Sequence, residues 1–190
     1  GRIVLLENFN MKKIADTLVE GKSAEIVATI LEGWTIKQIA DYLEQAGLTT
    51  ADKFIECTKT CVFTFNFLPK DYLEGYLYPD TYFANPGTYT DDGFIIKMIQ
   101  NLDNKLTDDD WKAIKANKHS FEQIMIMASI VEREERDSDE RPTIAGILWD
   151  RLDNNVGLGA DATILYALGR TKGRLTYDDL QIKSPYNTRK

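Results

Sequence analysis

The feature that most constrains this chain is an uncharged run that ends directly in a carboxylate. Eight consecutive uncharged residues, 124–131, precede Glu132. Apolar side chains occur on every face of the helix that this run predicts, so we expect the helix to be buried on most sides. At 3.6 residues per turn, Glu132 falls in one row with Phe121, Met125 and Ala128. The carboxylate is therefore predicted to lie at the end of a buried stripe.

Glu132 has two interpretations on these grounds. Burial disfavours a charged carboxyl group, and the poor helix formers Asp137, Ser138 and Asp139 predict a helix end whose negative dipole acts in the same direction. A carboxyl group that stays protonated near neutral pH is able to act as a general acid. Alternatively, Arg136 lies four residues on, and an exposed ion pair with it would serve the helix surface alone. The spacing favours neither interpretation.

Length and composition indicate a globular chain of one ordinary domain or two small ones. The 190 residues are 43% hydrophobic and 28% charged, which is unlike a disordered protein. The net charge of −7 argues against a nucleic-acid partner, because phosphates need a basic face. No apolar run is long enough to span a membrane. Because the sequence begins with Gly1 and stops on SPYNTRK, we expect a piece of a longer protein.

Cysteine and histidine are too few for a metal centre. Cys57 and Cys61 lie four apart, which is not a zinc spacing, and His119 is the one histidine in the sequence. We interpret the cysteines as packing residues, with a disulfide as the alternative. His119 falls in the polar run NKHS, where we expect a solvated surface residue.

The N-terminal part predicts strands alternating with helices. A strand at residues 24–31 precedes a helix with Thr35 as N-cap and Gly47 at its end, and Thr50 begins the next helix. Further upstream the sequence predicts a strand at IVLL and a helix over 10–22. The run VFTFNFLP then alternates in polarity, which predicts a strand or an extended linker. We place the domain boundary there.

Residues 73–89 form the second informative stretch and are too broken for a helix. Tyrosines at 76, 78, 82 and 89 alternate with Glu74, Asp80 and two prolines. Aromatic rings beside carboxylates suit sugar binding, because a pyranose has an apolar face and hydroxyl groups. Tyrosines in irregular segments also serve as core residues, and the pattern favours that interpretation slightly.

The C-terminal part predicts mainly helices. They begin at Asp91 and near Asp108, and a third carries the motif RPTIAGILWDRL. Its predicted apolar face holds Ile144, Ile147, Leu148, Arg151 and Leu152. The last helix, ADATILYALG, places Asp161 where it would cap. A capped turn, TYDDL, and an irregular SPYNT segment follow. No phosphate loop and no Ser-His-Asp set is present.

Six stretches together resemble the MltG/YceG-like family of endolytic murein transglycosylases. They are EGWTIKQIADYLEQAGL, LEGYLYPDTY, ASIVERE, RPTIAGILWDRL, GLGADATILYALG and SPYNT, in the family's order over the whole chain. With the predicted elements, the resemblance implies an α+β chain. A small LysM-like βαα subdomain over 1–66 is followed by a mainly helical YceG-like catalytic domain with short strands, 67–190, which lacks its C-terminal segment.

The resemblance implies one catalytic carboxyl, Glu132, the glutamate of the ASIVE motif. It would protonate the bond between N-acetylmuramic acid and N-acetylglucosamine and then deprotonate the muramyl C6 hydroxyl, leaving a 1,6-anhydro end. Such an enzyme needs no second carboxylate partner, unlike ordinary glycosidases. Neither a metal nor an organic cofactor is implied. The candidate substrate contacts are Glu74, Tyr78, Asp80, Tyr82, Asp161, Ser184 and Asn187.

The resemblance also implies a substrate, partners and a location, and it leaves alternative functions open. It implies peptidoglycan strands as substrate, cell-wall synthases as partners, a single-pass membrane anchor before Gly1, and an extracytoplasmic catalytic domain. Where the family commonly has LQ-x-DPT, this chain has LGADAT, which lacks the glutamine and the proline. A non-catalytic peptidoglycan-binding or scaffold protein is therefore the alternative. Hydrolysis to a reducing end would need a second carboxylate, for which Asp161 is the candidate.

Overall fold

The computed structural model describes residues 11–12, 25–171 and 173–189, which fall into two compact units. The first unit extends to Ala113 and the second begins at Ile114. Met11 and Lys12 are helical, whereas the predicted IVLL strand and the rest of the helix over 10–22 lie outside the described residues. The predicted boundary after residue 66, between a LysM-like subdomain and a catalytic domain, stays a prediction.

Two short strands and seven helices form the described chain. In order they are β1 (Ile26–Thr29), α1 (Ile36–Gln45), α2 (Ala51–Thr60), β2 (Thr81–Ala84), α3 (Asp91–Lys105), α4 (Asp108–Ala116), α5 (Phe121–Glu134), α6 (Arg141–Asp153), α7 (Asp161–Ala167) and a 3₁₀ turn at Asp179–Gln181. The strands pair antiparallel, with Val27 opposite Phe83. The predicted α+β class is confirmed. Within the described ranges, no helix has the length and apolar character needed to cross a bilayer.

The start of α1 follows from a capping box. The Thr35 hydroxyl accepts a hydrogen bond from the Gln38 amide at 3.3 Å, and the Gln38 side chain accepts one from the Thr35 amide at 3.0 Å. Gly47 follows the helix with φ of 71°, which only glycine adopts freely. The predicted N-cap and helix end are both confirmed. Thr50 precedes α2 but forms no side-chain capping bond.

The strand β2 lies inside the stretch that was predicted to be irregular. Tyr82 and Ala84 face the core, while Thr81 and Phe83 are exposed, as the period of two requires. Its pairing partner β1 lies more than fifty residues earlier in the sequence. A four-residue strand between proline-containing turns has little local signal, so the sequence did not reveal it. The slightly favoured core role is confirmed for Tyr76 and Tyr82, which are buried.

The segment 62–69 alternates in exposure without being a strand. Phe63, Phe65 and Phe67 pack against the core of the first unit, and the residues between them are exposed. Phe67 lies between Phe65 and Trp111, with ring centroids 5.7 Å and 5.6 Å away. No described strand pairs with this segment, so the extended-linker alternative is the correct one. The alternation in exposure therefore comes from the packing of the phenylalanine rings against the core and not from strand pairing.

The two cysteines are joined. Cys57 and Cys61, at the end of α2, form a disulfide. Their interpretation as separate packing residues was therefore wrong, although Cys57 is buried in the core. Cys61 directly follows α2 in extended backbone conformation, and its Cα lies 4.9 Å from that of Cys57, within the range that a disulfide requires.

The core of the second unit lies between α5, α6 and α7. Met127, Ile130 and Val131 are buried and pack with Leu148 of α6. The prediction that α5 is buried on most sides is wrong, because Ile126 remains 50% exposed. The apolar face of α6 also differs from the predicted one: Ile147 and Leu152 are exposed, whereas Ile144, Ala145 and Trp149 pack against the core. Because apolar residues occur on every face of α5, the sequence predicted more burial of this helix than the structure shows.

His119 is not a solvated surface residue. Its ring stacks on Trp149 with centroids 3.8 Å apart, and its side chain is only 14% exposed. Nε2 lies 3.5 Å from the Asp153 carboxylate. The polar neighbours in NKHS gave no sign of this contact, which depends on the approach of α6 to the turn before α5.

The C-terminal SPYNT segment closes onto the glycine-rich turn before α7. The Thr188 carbonyl accepts from the Gly159 amide at 2.9 Å, and the Thr188 hydroxyl accepts from the Ala160 amide at 3.1 Å and contacts the Thr163 hydroxyl at 3.1 Å. A Cβ on Gly157 would lie 2.8 Å from the Thr188 carbonyl oxygen. The backbone approach therefore requires glycine at position 157.

We expect Phe65→Ala to lower the free energy of unfolding by about 2 kcal/mol, less than for a fully buried ring because Phe65 is half-buried. Urea unfolding followed by tryptophan fluorescence measures the change. Thr64→Ala, at the exposed neighbouring position, is the matched control and should change it by less than about 0.5 kcal/mol. Equal effects of the two variants would contradict the alternating burial of this segment.

We expect Gly157→Ala and Gly146→Ala to shift the melting temperature in opposite directions. The first inserts a methyl group against a backbone oxygen that has no rotamer to change, and should cost about 1–3 kcal/mol. The second adds a methyl group to α6 with nothing within 4 Å, and should stabilise the helix by up to about 1 kcal/mol. Differential scanning calorimetry measures both. A Gly157→Ala protein as stable as wild type would refute the close approach.

Candidate active site

Glu132 lies in the last turn of α5, at the polar end of the apolar helix. A capping box of Ser120 and Gln123 begins the helix, and the amide of Glu135 closes it on the Val131 carbonyl. The Glu132 side chain is 29% exposed. It is not the end of a buried stripe, because Ala128 in its row is exposed while the buried stripe runs through Met127, Ile130 and Val131. The carboxylate therefore lies at the edge of the core.

Arg141 is the ion-pair partner of Glu132. Nη2 of Arg141 lies 2.9 Å from Oε1 of Glu132, and Nε donates to the Glu135 carbonyl at 3.1 Å. Both side chains are about one-third exposed. The alternative interpretation, an ion pair with Arg136, is not the one observed, because the described contact joins the end of α5 to the first residue of α6. The pair connects two elements and is more than a surface i,i+4 contact.

Glu134, two residues further on, contacts the start of α7. Its Oε1 accepts from the Ala162 amide at 3.3 Å, so a carboxylate lies at the positive end of that helix. Asp161 was predicted to cap α7, but Ala160 is the N-cap and no side chain of α7 itself caps the helix. The Asp161 carboxylate instead forms an ion pair with Arg189.

The predicted contacts in the SPYNT segment serve mainly to hold that segment. Asn187 is buried, donates from Nδ2 to the Leu180 and Ile182 carbonyls at 3.0 Å each, and accepts from the Arg189 amide at 3.2 Å. Ser184 accepts from the Tyr186 amide at 3.2 Å. These bonds satisfy the backbone of a segment without regular structure. They leave the amide of Asn187 fully engaged.

In the first unit, two of the predicted contacts touch helices. Oε1 of Glu74 accepts from the Ile36 amide at 3.0 Å and thus caps α1 alongside Thr35. Tyr78 is half-buried, and the Lys105 ammonium lies 5.4 Å from its ring centroid. The carboxylate of Glu74 therefore has a structural role at a helix N-terminus.

Asp80 and Tyr82 share one amide. Nδ2 of Asn101 donates to the Asp80 carboxylate at 3.0 Å and to the Tyr82 hydroxyl at 3.1 Å. The bond from Asn101, followed by that from the Thr81 amide, lowers the pKa of Asp80, and burial raises the pKa of Tyr82. The Tyr82 hydroxyl donates to the Tyr78 carbonyl at 2.6 Å. The three side chains form one network on β2 and α3.

An open groove of about 460 Å³ borders this network. Its lining residues are Thr81, Tyr82, Phe83, Ile96, Lys97, Gln100, Asn101 and Asn104. Tyr82 is the one predicted contact among them. The groove combines an exposed aromatic ring with side-chain amides, which is the composition that suits a sugar.

The candidates thus fall into two sets. Glu132, Asp161, Ser184 and Asn187 belong to the second unit, whereas Glu74, Tyr78, Asp80 and Tyr82 belong to the first. The sequence did not reveal Arg141 as the partner of Glu132 or Asn101 as the link between Asp80 and Tyr82. It also did not reveal that Thr188 bonds to the turn before α7. The only available signal was for Arg141, a cation at the first position of a helix, where the dipole disfavours it.

One carboxyl group in this setting is able to move a proton. Oε1 of Glu132 is held by Arg141, and in the described part of the chain Oε2 accepts no hydrogen bond. A carboxylate that is partly exposed and held at one oxygen has the other available for a substrate atom. The catalytic role of Glu132 and the substrate roles of the other candidates stay predictions.

Comparison with known proteins gives a consistent set of relatives. The endolytic murein transglycosylase of Bacillus subtilis strain 168 is 41% identical over 127 residues, which cover 66% of this chain and 35% of that protein. The endolytic murein transglycosylase of Streptococcus pneumoniae strain D39 is 32% identical over 123 residues, which cover 62% and 22%. The chain therefore spans about a third or less of the length of these relatives.

The fold has a solved counterpart. A crystal structure of a protein described as YceG-like, from Listeria monocytogenes, superimposes with a TM-score of 0.78 at 29% identity, covering 95% of this chain and 65% of that one. The model of the YceG-like family matches residues 1–190. By its sequence along the whole chain, this protein belongs to the YceG-like family.

Proposed function

We propose that this protein is an endolytic peptidoglycan transglycosylase with Glu132 as its acid and base. The observation that carries the proposal is the position of Glu132. It lies in the ASIVE motif of a YceG-like chain, at the edge of the core, partly exposed and with one carboxyl oxygen unbonded in the described structure. The names of the relatives from B. subtilis and S. pneumoniae support the same reaction class.

The proposed reaction has two proton transfers through one carboxyl group. Protonated Glu132 donates to the glycosidic oxygen as the bond from that oxygen to the muramyl anomeric carbon breaks. The resulting carboxylate then removes the proton of the muramyl C6 hydroxyl, whose oxygen bonds to the anomeric carbon. The products are a free hydroxyl on N-acetylglucosamine and a 1,6-anhydro muramyl end. Glu132 is protonated again at the close of the cycle, so no water is consumed.

We also propose that β1, α1, α2 and β2 form a LysM-like unit that holds the glycan strand, which would extend the predicted 1–66 subdomain to Ala84. The order strand, helix, helix, strand and the antiparallel pairing of β1 with β2 support this. The Asp80, Tyr82 and Asn101 network at β2 then supplies carboxylate and amide groups near an aromatic groove. Peptidoglycan is the proposed substrate, cell-wall synthases are proposed partners, and the reaction is proposed to occur outside the cytoplasm at a membrane-anchored protein.

A non-catalytic peptidoglycan-binding protein is the second candidate. Gly159 and Ala162 stand where the family commonly has the glutamine and the proline of LQ-x-DPT. The missing glutamine amide removes one potential hydrogen bond to the sugar. This candidate predicts binding to glycan strands without cleavage.

We expect wild-type protein to release anhydromuramyl ends from polymeric glycan strands and Glu132→Gln to lose this activity by about 10²–10⁴-fold, because an amide cannot donate and recover the proton. Mass spectrometry of the products measures the ends. Glu140→Gln is the matched control, since Glu140 is an exposed carboxylate nearby, and it should retain wild-type activity.

Three outcomes would reject the proposal. Equal product from wild type and Glu132→Gln would remove the assigned role of Glu132. Sedimentation of wild-type protein with peptidoglycan but no product from it would favour the non-catalytic candidate. Products with reducing muramyl ends would replace transglycosylation by hydrolysis.

A further inference from the structure

We propose that Arg141 is a positioning residue that orients the Glu132 carboxyl and stabilises the carboxylate that forms when Glu132 donates its proton. The inference rests on the proposed function of Glu132. Arg141 touches Glu132 and not a substrate atom, so its action is through Glu132. Four observations support it: the placement of both charges on their helices, the two bonds of the guanidinium, the burial of the pair, and the engagement of the neighbouring charges.

Both charges lie at the electrostatically unfavourable end of their own helix. Arg141 is the first residue of α6, where the helix dipole is positive, and no acidic residue occurs in that first turn. Glu132 lies in the last turn of α5, where the dipole is negative. A pair retained only for helix stability would have the reverse arrangement. Charges placed against the dipoles of both helices are typical of a functional site.

The guanidinium makes two bonds that fix its plane. Nη2 bonds to Oε1 of Glu132 at 2.9 Å, and Nε bonds at 3.1 Å to the carbonyl of Glu135, which ends α5. Because the guanidinium is rigid and planar, the second bond fixes the direction of the first. Oε1 is therefore held toward α6. Oε2 is the oxygen that remains for the glycosidic oxygen.

The charge of Arg141 also acts during the proton transfer. When Glu132 gives up its proton, a carboxylate forms beside the guanidinium, which stabilises it as the glycosidic bond breaks. Because each side chain is about one-third exposed, solvent screens this attraction only in part. Arg141 therefore speeds the proton transfer.

Most of the other charged groups on the elements around Glu132 have bonds of their own, and the rest are exposed. On α5, Arg133 donates to the Thr171 carbonyl and Glu134 accepts from the Ala162 amide. On the elements packed against α5, Asp161 pairs with Arg189, Arg151 donates to the Leu158 carbonyl at 2.8 Å, and Asp153 pairs with Lys118. In the turn between α5 and α6, Glu135 and Asp137 accept backbone bonds at 2.8 Å and 3.0 Å, and Arg136, Asp139 and Glu140 are exposed.

Three variants separate charge from geometry. Arg141→Gln removes the charge and keeps a hydrogen-bond donor, whereas Arg141→Lys keeps the charge and loses the planar fork. Arg136→Gln is the matched control, because it removes the same charge four residues from Glu132 at an exposed position. Circular dichroism and the melting temperature establish that each variant is folded. Initial rates on soluble glycan strands are then measured as a function of substrate concentration, which gives kcat and KM separately.

For Arg141→Gln we expect kcat to fall on the order of tenfold while KM stays within about twofold of wild type, because the interaction acts on the transition state. For Arg141→Lys, which keeps the charge but cannot hold both Glu132 and the Glu135 carbonyl, kcat should fall less. Arg136→Gln should match wild type in both kcat and KM. A kcat of Arg141→Gln that coincides with that of Arg136→Gln would overturn the proposal.

A crystal structure without substrate separates this inference from the proposed function. The Glu132 carboxyl should have one orientation in wild type and in Arg136→Gln, and more than one in Arg141→Gln, because the two bonds of the guanidinium that fix it are lost. That difference is expected even if wild type cleaves no glycan, in which case only the proposed function fails. A single, unchanged orientation of the Glu132 carboxyl in Arg141→Gln would overturn the role of Arg141, whatever the activity.

Discussion

The last turn of α5 is the point on which the second unit depends. Three consecutive charged residues there contact three different segments: Glu132 bonds to the first residue of α6, Arg133 to the Thr171 carbonyl after α7, and Glu134 to the start of α7. Beneath them, Met127, Ile130 and Val131 pack into the apolar core. The polar end of one helix thus fixes the positions of its neighbours. The proposed acid belongs to this arrangement, which gives its carboxyl a defined orientation.

The predicted substrate contacts fall into two groups according to the hydrogen bonds and ion pairs that they form within the protein. Glu74 caps α1, Asn187 bonds only to backbone groups, and Asp161 pairs with Arg189, so each has a structural function in the protein as described. Asp80 and Tyr82 differ, because they share Asn101 beside an open groove. Residue type alone does not separate the two cases. A carboxylate or amide that suits a sugar also suits an unsatisfied backbone amide.

The departure from the common family pattern at 158–163 has a structural counterpart. Gly159 and Ala160 bond through their backbone amides to Thr188, and Thr163 contacts the same hydroxyl. None of these bonds needs the glutamine side chain or the proline that the family commonly has. The turn therefore keeps its connection to the SPYNT segment, and the substitutions change the side chains presented there without removing the backbone contact.

Local patterns determined the α+β class, the helices, the cap at Thr35, and the choice of Glu132 as the residue to inspect, because capping and periodicity act within a few residues. They did not reveal β2, the stacking of His119 on Trp149, or Arg141 as the partner of Glu132. Each of these depends on groups that are distant in sequence or on the approach of a second helix. The sequence by itself determined which carboxylate follows the apolar helix. Only the tertiary structure decided its charge partner and burial, because both depend on where α6 begins relative to the end of α5.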